Sequence, residues 1–272
     1  MKNIIIPVDF SQQAEFALQT GAILAKKHNA TLHVLHMLEL SDSLISLSNR
    51  ANNNEMLFML SHAKKRFEPF LDKDYLKDVK VVPVIKKHKV YKEVDAVSKE
   101  LNADLIIMGS QGLTLQDGIF AGSNAEKMVR NSSVPVLVVK TEPKNFSLDH
   151  VVLATDMSTE SVEAYKKAED FFSKLGSHVD LVFVNRPNTG FVSTKVFNKR
   201  AKAFAEAGGP QKVEFIAGYT IEDGIIQYAD DTNADAIAAI TNARRGLNHL
   251  IKGSVSEDLA NHSRRPVITF KL

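Results

Sequence analysis

Four small residues and one carboxylate carry the chemistry that the sequence offers. Gly109, Gly112, Gly122 and Ser123 fall at the spacing G-x2-G-x9-G-S, and Asp9 follows an apolar run near the start of the chain. Glycine lacks a Cβ, so backbone N–H groups in such a loop can approach phosphate oxygens and the chain can take positive φ. Ser123-Asn124-Ala125-Glu126 has the form of a capping box. A helix start of that kind leaves free N–H groups at the positive end of the dipole, which favours an anion. With a carboxylate opposite, for a ribose or a base, these residues describe a nucleotide cradle. They also suffice for an ordinary tight loop and helix start, and Asp9 also reads as the cap of the next helix. The pattern is not a Walker A loop, because no Gly-Lys-Ser/Thr follows. Nor is it the dinucleotide fingerprint, which belongs after the first strand.

Strands and helices alternate around these residues. Asn3 to Val8 and Thr31 to Leu38 are apolar runs with strand composition. Between them Ala14, Ala17, Leu18, Gly21, Leu24 and Ala25 recur at three and four, as one helix face does, and Asn29 ends the helix. Ser41 to Asn54 is polar, a loop or a frayed helix. Met56 to Leu71 predicts a helix, and Val79 to Ile85 a strand in which Pro83 marks a strand end or an edge. Tyr91 to Leu101 predicts a helix, Leu105 onward a strand, and Val134 to Val139 the last strand. This alternation predicts a parallel sheet with helices on both faces. Ligands in such a sheet bind beyond the carboxyl ends of the strands, where strand order reverses.

The pattern then restarts. Lys140 to Leu148 is a polar, proline-containing linker, after which His150 to Thr155 repeats the first strand and Asp156-Met157-Ser158 answers Asp9-Phe10-Ser11. Asn233-Ala234-Asp235 repeats Asn102-Ala103-Asp104, Gly253-Ser254 repeats Gly122-Ser123, and Pro266-Val267 repeats Pro135-Val136. These C-terminal matches share one offset, 131 (233 − 102), whereas the front of the repeat is offset by 147 (156 − 9). The second copy is therefore shorter in its middle, a difference the sequence places mostly in the Ser41–Asn54 region. The chain reads as two tandem α/β domains, 1–141 with the intact motif and 148–272 with a worn one.

Composition limits the function classes. The 272 residues carry 34 basic and 32 acidic side chains, too even for bulk attraction to nucleic acid or membrane. Lys86-Lys87-His88-Lys89 reads as an exposed charge run without an aromatic platform, so no nucleic-acid partner is expected. There are no cysteines, which excludes disulfides, thiolate catalysis and Cys-ligated zinc. The nine histidines show no spaced cluster, and no metal site is assigned. MKNIIIPVDF is not a signal peptide and no run approaches membrane-helix length, so a cytoplasmic protein is expected.

IIIPVDFS at the start, NADLIIMGSQG before the loop and GS…EKMVRNSSVPVLVV after it resemble the universal stress protein family, over nearly the whole chain as two fused copies. The G-x2-G-x9-G-S motif is similar to that of the family's ATP-binding branch. The resemblance implies a five-stranded parallel sheet in the order 3-2-1-4-5 in each domain. It also implies pairing of the two domains through their last strands, Val134 to Val139 and Arg265 to Phe270; a homodimer is compatible with it. For the site it implies ATP, with or without Mg2+. Asp9 would contact adenine or ribose, with Pro7 and Val8 shaping the pocket and Met37 and Met108 lining the adenine site. Gly109 would lie against the ribose, and Gly112, Gly122, Ser123 and Asn124 would hold the phosphates. Gln111 and Ser11 are further candidates.

The second copy departs from this pattern. The offset of 131 puts Ile240 at Gly109, Thr241 at Ser110, Asn242 at Gln111 and Ala243 at Gly112. An isoleucine would push a ribose away and would disfavour positive φ there. The expectation is one competent ATP site, in the first domain, beside a degenerate partner; Arg244 and Arg245 read first as a solvated basic face and, as the alternative, as another route to an anion. The function expected is a nucleotide-responsive regulatory protein with at most weak hydrolysis. The alternatives are a slow ATPase or adenylate-forming enzyme, and an interaction protein that binds no nucleotide.

Overall fold

The computed structural model describes residues 1–38, 50–87, 90–110, 123–241 and 254–271. They form two compact units, 1–112 with 139–144, and 113–138 with 145–272.

The first unit contains β1 (Asn3–Pro7), α1 (Gln12–His28), β2 (Thr31–Leu38), α2 (Arg50–Leu71), β3 (Lys80–Lys87), α3 (Val90–Glu100) and β4 (Leu105–Gly109). The strands are parallel in the order β3-β2-β1-β4. Val139 joins this unit, its carbonyl accepting from the Ser110 N–H at 2.9 Å. Ile4, Ile5 and Ile6 are fully buried, as expected of a central strand covered on both faces. The predicted face of α1 is the buried one, and Asn29 ends the helix in the left-handed conformation (φ 51°). Its N-terminus is capped by Ser11, whose Oγ accepts from the Ala14 N–H. Pro83 lies within β3, which has no partner among the described residues on its outer side, so the missing N–H breaks no ladder there.

In the second unit α4 (Ser123–Asn131) and β5 (Val136–Val139, of which 136–138 belong here) precede the repeat. The repeat runs through β6 (His150–Ala154), α5 (Val162–Leu175), β7 (His178–Asn185), α6 (Thr194–Glu206), β8 (Glu214–Ala217), α7 (Ile221–Asp231), β9 (Ala236–Thr241), α8 (Ser254–His262) and β10 (Val267–Lys271). Strand order is β5-β10-β9-β6-β7-β8, parallel except that β5 runs antiparallel to β10 in the register Val138↔Val267, Leu137↔Ile268 and Val136↔Thr269. Those six residues are all at most 3% exposed.

Part of the length that the second copy lacks lies in a helix. Arg50 to Asn54 belong to helix α2, and the rest of the polar stretch, 41–49, lies outside the described residues. Helix α2 has 22 residues and its counterpart α6 has 13, so the helix takes up nine of the 16 (147 − 131). A helix packed on a sheet can lose outer turns without disturbing the strands, which explains why the deletion is tolerated there.

The Asn-Ala-Asp motif is architectural in both copies. Asn102 and Asn233 take positive φ (48° and 51°) just after a helix, a conformation asparagine tolerates better than most residues. Asp104 then accepts from the Asn3 N–H at 2.9 Å and Asp235 from the His150 N–H at 2.8 Å. Each carboxylate thus satisfies a donor at the start of the central strand, at the opposite end from the ligand crevice.

Candidate functional site

The first crevice is set by register. Ile4 and Ile5 pair with Leu105 and Ile106, so β1 and β4 run side by side in parallel. Continued to the strand ends, that register puts Pro7 opposite Met108 and Val8 opposite Gly109. On the other side of β1, Pro7 pairs with Leu35, and the Val8 N–H donates to the Leu35 carbonyl at 2.8 Å. Strand order reverses between β1 and β4. Asp9 therefore leaves β1 at the switch point of the sheet, where such folds take their ligands.

Asp9 is exposed and turns back on itself: Oδ1 accepts from the Ser11 N–H at 2.9 Å, across Phe10 at φ 64°. That Asx turn uses one carboxylate oxygen and starts the chain into α1. Phe10 is held in its unusual conformation by packing. Its ring meets Phe67 and Phe70 edge-on at 5.1 and 5.3 Å and lies 4.6 Å from the His36 ring. His36 Nδ1 donates to the Val8 carbonyl at 2.9 Å, which fixes the proton on that nitrogen.

Sequence reasoning missed one charge here. Arg66, on α2, donates from Nη2 to the Asp9 carbonyl at 3.1 Å and lies 4.3 Å over the Phe10 ring. The two contacts hold a guanidinium beside the Asp9 turn. Its only signal in the sequence is a basic position on a helix 57 residues away, which says nothing of where the helix docks.

Met37 and Met108 are buried, only 7% and 6% exposed, at the carboxyl ends of β2 and β4. Gly109 is placed at the crevice, but what demands glycine there is helix α1: an added Cβ would stand 2.3 Å from the Gln13 carbonyl oxygen. Its φ lies outside the left-handed range, so the expectation of positive φ at this position is corrected to one of close approach. Gln111, Gly112 and Gly122 lie outside the described residues, and Ser123 and Asn124 are described as the first two backbone residues of α4.

The second repeat reproduces the front of this site. Asp156 Oδ1 accepts from the Ser158 N–H at 2.9 Å across Met157 at φ 55°. The next few residues differ. Where α1 begins directly after its cap, a 3-10 turn (Thr159–Ser161) precedes α5. Glu160, the counterpart of Gln13 at offset 147, sits in that turn, and Ile240 occupies the place of Gly109.

A cavity of about 110 Å³ lies at the carboxyl ends of β6 and β9, again at the point where strand order reverses. Val182, Val184, Phe191 and Ile240 give it an apolar wall, and Asp156, Arg200 and Ser256 give it polar groups. Ser256 is 1% exposed, and its Oγ has no hydrogen-bond partner among the described residues. A buried hydroxyl left unpaired costs free energy, and a polar ligand atom in the cavity would relieve that cost. Arg244, Arg245 and Gly253 lie outside the described residues.

Fold and site together define a tandem α/β protein with a crevice at the switch point of each repeat. The universal stress protein family model matches residues 1–140 and again 147–271, and the chain belongs to that family. It is 24% identical to universal stress protein Slr1230 of Synechocystis, with all of both chains covered. Universal stress protein G of Escherichia coli is 28% identical over 51% of this chain and 99% of its own. Among solved structures, a universal stress protein from Archaeoglobus fulgidus superimposes with a TM-score of 0.66 at 22% identity, covering 99% of this chain and 98% of that one. At that identity the likeness speaks for the fold. Among the described residues no helix is long and apolar enough to cross a membrane.

Proposed function

We propose that this chain is a cytosolic stress-response protein whose first repeat binds ATP, with or without Mg2+, and whose interactions track the occupancy of that site. The observation that carries the reading is the parallel register of β1 and β4, which brings Asp9 and Gly109 to one crevice at the switch point. One Asp9 oxygen is taken by the Ser11 N–H, and the other is left to a ribose or adenine donor. Met37 and Met108 supply an apolar, adaptable lining for a base. The motif residues Gly112, Gly122, Ser123 and Asn124 would hold the phosphates, and Arg66 adds a cation beside the turn. A regulatory role fits better than catalysis, because the motif supplies no positioned base. The antiparallel ladder of β5 with β10 supports internal pairing of the two repeats through their last strands.

Calorimetry with ATP on the full chain tests this. One ATP per chain is expected, lost in Gly112→Val and weakened in Asp9→Ala, with turnover well below about 1 s⁻¹. Two equivalent sites, or binding indifferent to both substitutions, would reject the reading.

The unpaired Ser256 hydroxyl favours a second reading for the other crevice. It takes a small, mostly apolar ligand with one anionic or polar group, rather than a nucleotide triphosphate. Ile240 closes the side on which the first repeat has only Gly109.

A further inference from the structure

A second cluster lies in the second unit, at the amino ends of β6 and β7 and so at the far end of these strands from the cavity. His150 and His178 are direct partners across the parallel pair, and Asp180 stands two residues after His178 on the same face. Asp180 Oδ2 lies 2.9 Å from His150 Nε2, and Oδ1 lies 3.2 Å from His178 Nε2. One ligand atom from each of the three residues falls within 4.8 Å of the other two. The two imidazole rings are 5.2 Å apart.

We propose that His150, His178 and Asp180 form a binding site for a divalent first-row transition ion, with Zn2+ as the natural probe. Donor atoms on a tetrahedral ion with bonds of roughly 2.0–2.1 Å lie about 3.3 Å apart, close to the spacings between Asp180 and the two rings. Two neutral imidazoles and one carboxylate suit Zn2+ or a similar ion far better than Mg2+ or Ca2+, which prefer oxygen. Three protein ligands leave a position for water. Around the cluster, the Tyr228 hydroxyl donates to Asp180 Oδ2 at 3.4 Å, and Lys212 is held by Glu214 at 2.6 Å, so a charged partner occupies that cation. His150 and Asp180 are three-quarters or more buried, whereas His178 is 71% exposed, so the site has a closed floor and an open entry.

Without an ion, both rings hydrogen-bond to the carboxylate. An ion would take the Nε2 lone pairs, leaving each neutral ring its proton on Nδ1. The first repeat offers a built-in comparison. At offset 147 its residues are Asn3, Thr31 and His33, a set with one imidazole and no carboxylate. The site belongs to the second repeat alone and is separate from any Mg2+ carried by ATP.

The test is titration of the untagged, EDTA-stripped full chain with ZnCl2 by calorimetry at pH 7.5, with Co2+ absorption as a second probe. One ion per chain is expected, with the strong visible absorption of four-coordinate Co2+. His178→Thr, which changes an exposed side chain to the residue of the first repeat, should weaken binding by 100-fold or more, beyond the range of about 10–100-fold typical for outer-shell losses. Asp180→Asn should do the same, and a large excess of Mg2+ should leave the zinc isotherm unchanged. No saturable site, zinc binding unchanged in the His178→Thr, Asp180→Asn double variant, or displacement by Mg2+ would overturn the proposal.

Discussion

Gly109 faces the backbone of Gln13 so closely that a Cβ would stand 2.3 Å from its carbonyl oxygen and 2.4 Å from its carbonyl carbon. The glycine that marks the ligand loop is therefore also the contact that lets α1 begin against β4. Gly109→Ala should lower stability by about 1–3 kcal/mol without any ligand, as overpacking does. Urea unfolding of the nucleotide-free protein reads this directly. An unchanged midpoint would mean that the glycine serves the ligand alone.

The twin turns at Asp9 and Asp156 separate architecture from binding. Each carboxylate accepts one backbone N–H at 2.9 Å. Asparagine can make the same turn, so Asp9→Asn and Asp156→Asn should each change stability by less than about 0.5 kcal/mol. Of the two, Asp9→Asn alone should weaken ATP binding, measured by calorimetry. Equal losses from both would point to a nucleotide in each repeat.

Arg66 should matter to the same site from outside the motif. Arg66→Ala removes both the hydrogen bond to the Asp9 carbonyl and the charge over Phe10. We expect ATP affinity to fall and its salt dependence to flatten, because a cation beside the Asp9 turn is lost. Arg66→Lys keeps the charge but not the planar donor pair, and should recover only part of the affinity.

His33 gives the fold an acid-side sensitivity. Burial, and then the charge of Lys80, hold its pKa below the ordinary value. Its Nδ1 is buried with no partner among the described residues, so a proton added there would go unsatisfied. A lowered folded-state pKa contributes stability that is present above about pH 6.5 and lost as pH falls, because the unfolded chain takes the proton first. His28 shifts in the same direction, first through burial. Urea stability should decline from about pH 7 toward about pH 5, and His33→Gln should remove part of that slope.

The ladder between β5 and β10 can be trapped chemically. The chain has no cysteine, and Val138 and Val267 are direct partners. Opposed residues of an antiparallel pair stand about 4.5–5.5 Å apart at Cα, within the disulfide range. Val138→Cys with Val267→Cys should therefore cross-link within one chain on mild oxidation, read as a monomer on non-reducing gels. A cross-linked dimer would mean that β10 pairs with another copy's β5.

Period and offset are properties of the chain alone, so the duplication, the alternation of strands and helices, and the buried face of α1 were legible in the residues as written. Asp9 and Gly109 were legible too, since both end apolar runs whose carboxyl ends form the crevice in this class of sheet. Packing settled the rest. Asn-Ala-Asp was legible only as a repeat, and folding gives it its role at the amino end of the strands, where Asp104 and Asp235 satisfy strand N–H groups. Gly109 looked like a ligand contact, but its most demanding neighbour is Gln13, far away in sequence. The histidines looked scattered, but strand register sets His150 beside His178 and Asp180. In each case the deciding relation is a distance between residues remote in the chain, and only the packed sheet fixes that distance.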